Sequence, residues 1–181
     1  MRKTELLDFQ FMKKSIIRIS HEIIERNNKL ENLYLIGILT RGKPLAERIQ
    51  HHIYEISKYR VQIGNVDITF HRDDYSERLL VPQLNGNTIN QSVDEKTIIL
   101  VDDVLFTGRT VRAAMDLVSS FGRPKVIQLA VLIDRGHREL PIKADFVGKN
   151  IPTHEGEHVE VLFDEIDKKD SICLLQKGFN S

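Results

Sequence analysis

The sequence predicts one α/β domain with a mostly parallel central sheet flanked by helices. Three observations carry this. Short, continuous apolar runs recur at Tyr34–Leu39, Thr97–Val101 and Val126–Ile133, the mark of strands buried on both faces. Amphipathic helical patterns alternate with them, as a parallel sheet with crossover helices requires. The 181 residues suit a single domain spanning the whole chain, with no internal repeat and no linker.

Taken in order, Asp8 is placed to cap a helix in which Met12, Ile16, Ile19 and Ile23 recur at helical spacing, to about Asn27. After the first buried run, Thr40-Arg41-Gly42 is a turn, and Pro44 suits the first turn of a second helix. Leu45, Ile49, Ile53 and Ile56 form its apolar stripe. Val61–Phe70 alternates as a strand. His71–Lys96 is polar, with Pro82 and Gly86, and reads as a long loop of the functional or mobile kind. Val111, Ala114, Met115, Val118 and Phe121 mark a third helix ended by Gly122. Val159–Phe163 and Ser171–Leu175 are weaker strand candidates.

Composition narrows the function classes. No apolar run is long enough for a membrane span, and Met1–Gln10 is too polar for a signal peptide, so the cytoplasm is the expected compartment. The single cysteine, Cys173, excludes an intrachain disulfide and multi-cysteine zinc sites, and is expected to be a small buried apolar residue. Lys plus Arg and Asp plus Glu number 26 each, so the molecule as a whole has no pull toward nucleic acid, and any RNA contact needs a local basic patch.

In parallel α/β sheets ligands bind beyond the carboxyl ends of the strands, here the loops after Leu39, Val101 and Ile133. The second of these is the most informative. A buried strand ends in Asp102-Asp103, Val104-Leu105-Phe106 is a short apolar step, and Thr107-Gly108-Arg109-Thr110 leads into a helix. Gly108 permits close backbone approach to a ligand, and free amides at the helix start suit a phosphate. Thr107 and Thr110 add hydroxyls, Arg109 a donor or positive charge, and the aspartates accept from sugar hydroxyls. The loop thus offers a phosphate site beside a diol site, as a ribose 5-phosphate demands. It is not a Walker loop.

The string Ile98–Thr110, IILVDDVLFTGRT, resembles the phosphoribosyl pyrophosphate motif of type I phosphoribosyltransferases. That resemblance implies a hood beside the sheet, and a flexible loop matching His71–Lys96, with Arg72 and Arg78 as candidate pyrophosphate contacts. It also makes Thr40, Arg41 and Gly42 the pyrophosphate loop. Asp134–Asn150 (DRGHRELPIKADFVGKN), Ile68–Asp74 and Arg18–Asn27 further resemble the family of pyrimidine operon attenuation regulators with uracil phosphoribosyltransferase activity, over nearly the whole chain. The implied partners are uracil, phosphoribosyl pyrophosphate and UMP, with Mg2+ bridging substrate oxygens and few direct protein ligands. Asp103 is then the catalytic or ribose-positioning carboxylate, Asp102 lies on the ribose hydroxyls, and Arg135 and Val159 lie near the base. A messenger RNA leader is implied as a further partner, with Arg18, His21, Arg138, Lys143 and Lys149 as candidate contacts. Ile17 stands where this family often carries a polar residue. A homo-oligomer is expected by resemblance alone. Three readings stay open: an enzyme that is also a regulator, an RNA-binding regulator whose nucleotide site is only a sensor, and an enzyme without RNA binding. The complete loops favour retained catalysis.

Overall fold

A computed structural model describes residues 2–68 and 88–176. Arg72, Arg78 and the end of the expected strand at Thr69–Phe70 lie outside the described residues. The elements run β1 (Arg2–Asp8), α1 (Phe9–Arg26), a 3-10 turn (Leu30–Asn32), β2 (Leu33–Ile38), α2 (Gly42–Ser57), β3 (Gln62–Val66), β4 (Thr97–Leu105), α3 (Arg109–Ser119), β5 (Val126–Asp134), β6 (Phe146–Asn150), β7 (Glu157–Leu162), α4 (Asp164–Asp167) and β8 (Ser171–Gln176).

Five strands form a parallel sheet in the order β3-β2-β4-β5-β6, with Gly37 opposite Val101 and Leu100 opposite Leu129. Because strand side chains alternate between faces, β4 feeds two cores at once. Ile99 and Val101 pack with α1 and α2, through Met12, Ile16, Ile19, Leu45 and Ile49. Ile98 and Leu100 pack with α3, through Val111, Ala114 and Val118. Each buried aliphatic side chain of this kind contributes about 1.5–3 kcal/mol relative to exposure. Asp8 caps α1 as expected, accepting from the Phe11 amide at 3.0 Å.

The tail strands are real. β7 and β8 pair antiparallel, and β1 joins β8 to complete a three-stranded sheet, the hood. Val161, Phe163 and Ile172 anchor this sheet to the α1–α2 core. Cys173 is buried.

Several expectations need correction. Ile56 and Met115 are 39% and 37% exposed. Met115 lies about 100° around α3 from Ala114, and the buried stripe is completed by Ala113 and Leu117 instead. Helix α3 stops at Ser119, ahead of Gly122. Strand β3 ends at Val66, short of Phe70, and β4 runs four residues past Val101. Part of the long polar segment is tied down: the Thr88 amide donates to Asn65 O at 3.0 Å, along the edge of β3. No helix among the described residues is long and apolar enough to cross a membrane.

Candidate active site

Because β2, β4 and β5 are parallel, their carboxyl ends fall on one edge of the sheet, and the three loops singled out in the sequence meet there. The first is short. The Leu39 amide donates to Val66 O at 2.9 Å, and the Leu39–Thr40 peptide is cis. Gly42 then opens α2 so close to the central strand that a Cβ would lie 2.3 Å from Val101 O. Arg41 is held from a distance in sequence, its Nη2 and Nε at 2.8 Å and 3.3 Å from the Asp167 carboxylate of α4.

The acidic pair belongs to the sheet. Asp102 is buried opposite Val131, and its Oδ1 accepts from the Asp103 amide at 3.0 Å. Burial pushes the Asp102 carboxyl well above its ordinary range, and the neighbouring Asp103 carboxylate pushes it further. Burial raises Asp103 as well, against the hydrogen bond from Asp102, the Val104 amide and the charge of Arg41. Asp102, the more deeply buried of the two, is the one more strongly biased toward its protonated form.

That raised value works against the ligand-free fold. The unfolded carboxyl ionises above about pH 4, while the folded one holds its proton to higher pH. The penalty is therefore absent below the unfolded pKa, grows between the two values and is complete above the folded one. Asp102→Asn is expected to raise the melting temperature of the free protein near neutral pH by about 2–4 °C per kcal/mol relieved. Near pH 3 the gain should vanish. Equal gains at both pH values, measured by calorimetry, would exclude ionisation as the cause.

Beyond Leu105 the chain leaves the sheet. Phe106 is exposed, Gly108 turns with φ +93°, and α3 starts at Arg109, whose amide donates to Thr107 Oγ1 at 3.3 Å. A side chain at position 108 would be strained at that φ and would press on Ile142 and Leu140. Arg109 pairs with Glu139 at 2.6 Å on the surface. The start of α3, with Thr107 and Thr110 beside it, presents helix-start amides of the kind that suit an anion.

The loop after β5 forms the bed under this turn. The Arg135 amide donates to Leu105 O at 3.1 Å, and the Glu139 and Leu140 amides donate to Thr107 O at 3.0 Å and 3.1 Å. The Arg135 side chain is buried, donating to Thr153 Oγ1 at 3.1 Å and Glu157 O at 2.6 Å, with its guanidinium 3.9 Å above the Phe106 ring. It therefore joins the turn after β4 to the start of β7, where half-buried Val159 packs against the core.

The RNA candidates divide. Arg18 and exposed His21 lie on α1; Arg18 donates to Val147 O and Gly148 O at 3.0 Å and 2.6 Å, which brings it against β6. Lys149 of β6 sits 5.1 Å over the Phe11 ring, and Lys143 is exposed in the loop before β6. Arg138 points inward to the loops of the cup, contrary to its expected place on an RNA-facing surface. Sequence reasoning missed Asp167, Thr153, Glu157 and Asp134 as partners of site residues. Asp134 alone carried a signal, as a polar residue ending a buried strand.

Sheet order, acidic pair and amide-lined turn together define a phosphoribosyltransferase, and the family model for the phosphoribosyl transferase domain matches residues 3–166. The fold is shared with hypoxanthine phosphoribosyltransferase of Trypanosoma cruzi, at a TM-score of 0.72 and 17% identity, covering 97% of each chain. It is shared too with HGPRT-ase of Leishmania tarentolae, at a TM-score of 0.72 and 18% identity, covering 98% of this chain and 99% of that one. Sequence relatives are much nearer. Bifunctional protein PyrR of Clostridioides difficile (strain 630) is 52% identical over 174 residues, covering 96% of this chain and 98% of that protein. Bifunctional protein PyrR of Caldicellulosiruptor bescii is 53% identical over 172 residues, covering 95% and 94%. The chain belongs to the PyrR family of phosphoribosyltransferases.

Proposed function

We propose that this protein converts uracil and phosphoribosyl pyrophosphate to UMP and pyrophosphate, and that it also binds a messenger RNA leader in a UMP-dependent way to regulate pyrimidine operon transcription by attenuation. The observation that carries the enzymatic reading is the convergence of three groups at one sheet edge: the Thr40–Gly42 loop, the Asp102–Asp103 pair and the amides opening α3. Relatives named bifunctional at about half identity support both roles.

The chemistry needs no covalent nucleophile. The bond from the anomeric carbon to pyrophosphate breaks with its electron pair leaving on the pyrophosphate oxygen, and uracil N1 forms the new bond as its proton passes, directly or through water, to the released pyrophosphate. Positive charge develops on the ribose ring between these events. Asp103 supplies the fixed negative charge that favours it, and Asp102 accepts from the ribose hydroxyls. Thr40, Arg41 and Gly42 hold the leaving group, while Val104, Leu105 and Phe106 carry the chain from the acids to the phosphate turn at Thr107–Thr110. Arg135 and the backbone of Val159 bound the uracil. Positioning of both reactants lowers the barrier further.

Carboxylate oxygens suit Mg2+, but no group of three acidic, histidine or cysteine side chains able to hold a metal occurs among the described residues. Asp102 and Asp103 are the carboxylates that would stand beside a bound ion, which would supply neutralising charge to the leaving pyrophosphate.

Uracil-dependent release of pyrophosphate by the purified protein is the test. UMP binding without turnover would leave a sensor in place of an enzyme. For regulation, the contact of α1 with β6 brings Arg18, His21 and Lys149 toward one face, with Lys143 in the adjoining loop. Titration of a leader RNA should show UMP-dependent affinity, and Lys149→Ala should reduce the salt slope by about 1. Weak, UMP-independent affinity would argue against regulation. A cytoplasmic homo-oligomer is part of the same reading, and light scattering measures its size.

A further inference from the structure

The inward course of Arg138 gives it a different task from the one its sequence context suggests. Its Nε donates to Ile142 O at 3.0 Å, its Nη1 to Phe106 O at 2.7 Å and Gly136 O at 3.2 Å, and its Nη2 to the Asp134 carboxylate. One planar guanidinium thus ties the end of β5, the loop after it and the phosphate turn after β4. The side chain is only 22% exposed, which leaves little of it for a partner in solution.

The consequence follows from peptide geometry. Across a trans peptide the C=O of one residue and the N–H of the next point in opposite directions. Leu105 O is taken by the Arg135 amide, Phe106 O by Arg138, and Thr107 O by the Glu139 and Leu140 amides. Three successive carbonyls are drawn down into the bed. The amides of Phe106, Thr107 and Gly108 are thereby turned the other way, as an anion-binding concavity requires. Arg138 Nη1 also reaches Leu105 O, at 3.5 Å, but that carbonyl keeps the Arg135 amide; the Phe106 carbonyl has Arg138 in place of a backbone amide, so this is where a single substitution acts. Asp134 fixes the guanidinium, and its other oxygen accepts from the Gly136 amide at 3.0 Å.

We infer that Arg138 is a positioning residue for the 5′-phosphate site, holding the Phe106–Thr107 peptide so that the Thr107 amide faces the nucleotide phosphate. This rests on the reading of the cup as a phosphoribosyl site. The guanidinium acts through the backbone it orders.

The experiment is calorimetric titration of UMP and of uridine, which differ by the phosphate alone, into wild type, Arg138→Gln and Asp134→Asn, with melting curves to establish folding. Wild type should prefer UMP. Arg138→Gln should lose about tenfold or more of that preference while uridine affinity stays within about twofold, and Asp134→Asn should lose less. Should Arg138→Gln fail to fold, Arg138→Lys is expected to keep part of the preference, because an ammonium is a point charge without the planar fork. If wild type distinguishes the two ligands and the folded variants distinguish them equally well, Arg138 does not order the site. Loss of leader RNA affinity without UMP, at an unchanged UMP-to-uridine ratio, would instead make Arg138 an RNA contact. A wild type that binds UMP no better than uridine would remove the phosphate cup itself, a failure distinct from that of Arg138.

Discussion

Asp103→Asn should lower turnover with uracil by roughly 10²- to 10³-fold, the usual cost of removing a preorganised group aimed at developing charge. The substitution keeps the shape of the side chain and removes its capacity for negative charge. Asp103 is half-buried at the rim of the sheet, between buried Asp102 and the Arg41 loop, where a charge is felt more strongly than in water. The fold should survive, since burial already disfavours the charged form in the free protein and an amide relieves that. The effect should appear in turnover far more than in the uracil concentration at half saturation, because the positive charge exists only in the transition state. Steady-state kinetics at saturating phosphoribosyl pyrophosphate, with a melting curve beside them, decide the matter. Activity near wild type would move the catalytic carboxylate elsewhere.

The same pair shows what a sequence discloses. Tyr34–Leu39, Thr97–Val101 and Val126–Ile133 were legible as strands because a parallel sheet covered on both faces demands unbroken apolar runs. The end of β4 was not, because Asp102 and Asp103 break the apolar run while the backbone ladder continues to Leu105 opposite Asp134. Strand β1 left no pattern: Arg2–Asp8 is nearly all exposed, and it exists through pairing with β8 and contacts such as Lys3 with Glu160. Strand β6 is short, with Phe146 and Gly148 its only buried residues. The turn at Thr107–Thr110 and the loop at Thr40–Gly42 were visible because each is a contiguous string with its own chemistry. Their supports were not, since Asp167 meets Arg41 across 126 positions and Thr153 meets Arg135 across 18. Arg138 shows the converse, a basic residue whose context suggested a surface and whose acceptors lie inside.

Gly42→Ala is expected to be the most damaging single change in the Thr40–Gly42 loop. A Cβ there would sit 2.3 Å from Val101 O and 3.4 Å from the Asp102 Cα, both backbone atoms of the central strand. Neither can yield as the far end of a flexible side chain would, for β4 is paired on one side with β2 and on the other with β5. The loop must therefore move off the strand, taking Thr40 and Arg41 from the acidic pair they face. A displacement near 1 Å in a positioned reactant costs about 10²-fold in rate, so turnover should fall by about that factor, with weaker saturation by phosphoribosyl pyrophosphate. Overpacking should also lower stability, by about 1–3 kcal/mol. Gly136→Ala is the control: unlike Gly42 it sits at positive φ, +77°, but nothing lies within 4 Å of its Cβ position. It should cost stability through backbone strain of about 1–2 kcal/mol, and the saturation curve for phosphoribosyl pyrophosphate should be little changed. If Gly42→Ala instead keeps turnover and saturation within about twofold of wild type while the melting temperature falls, the loop has absorbed the clash without loss. Close packing on β4 would then serve stability alone, and the leaving group would be held by something other than the Thr40–Gly42 backbone.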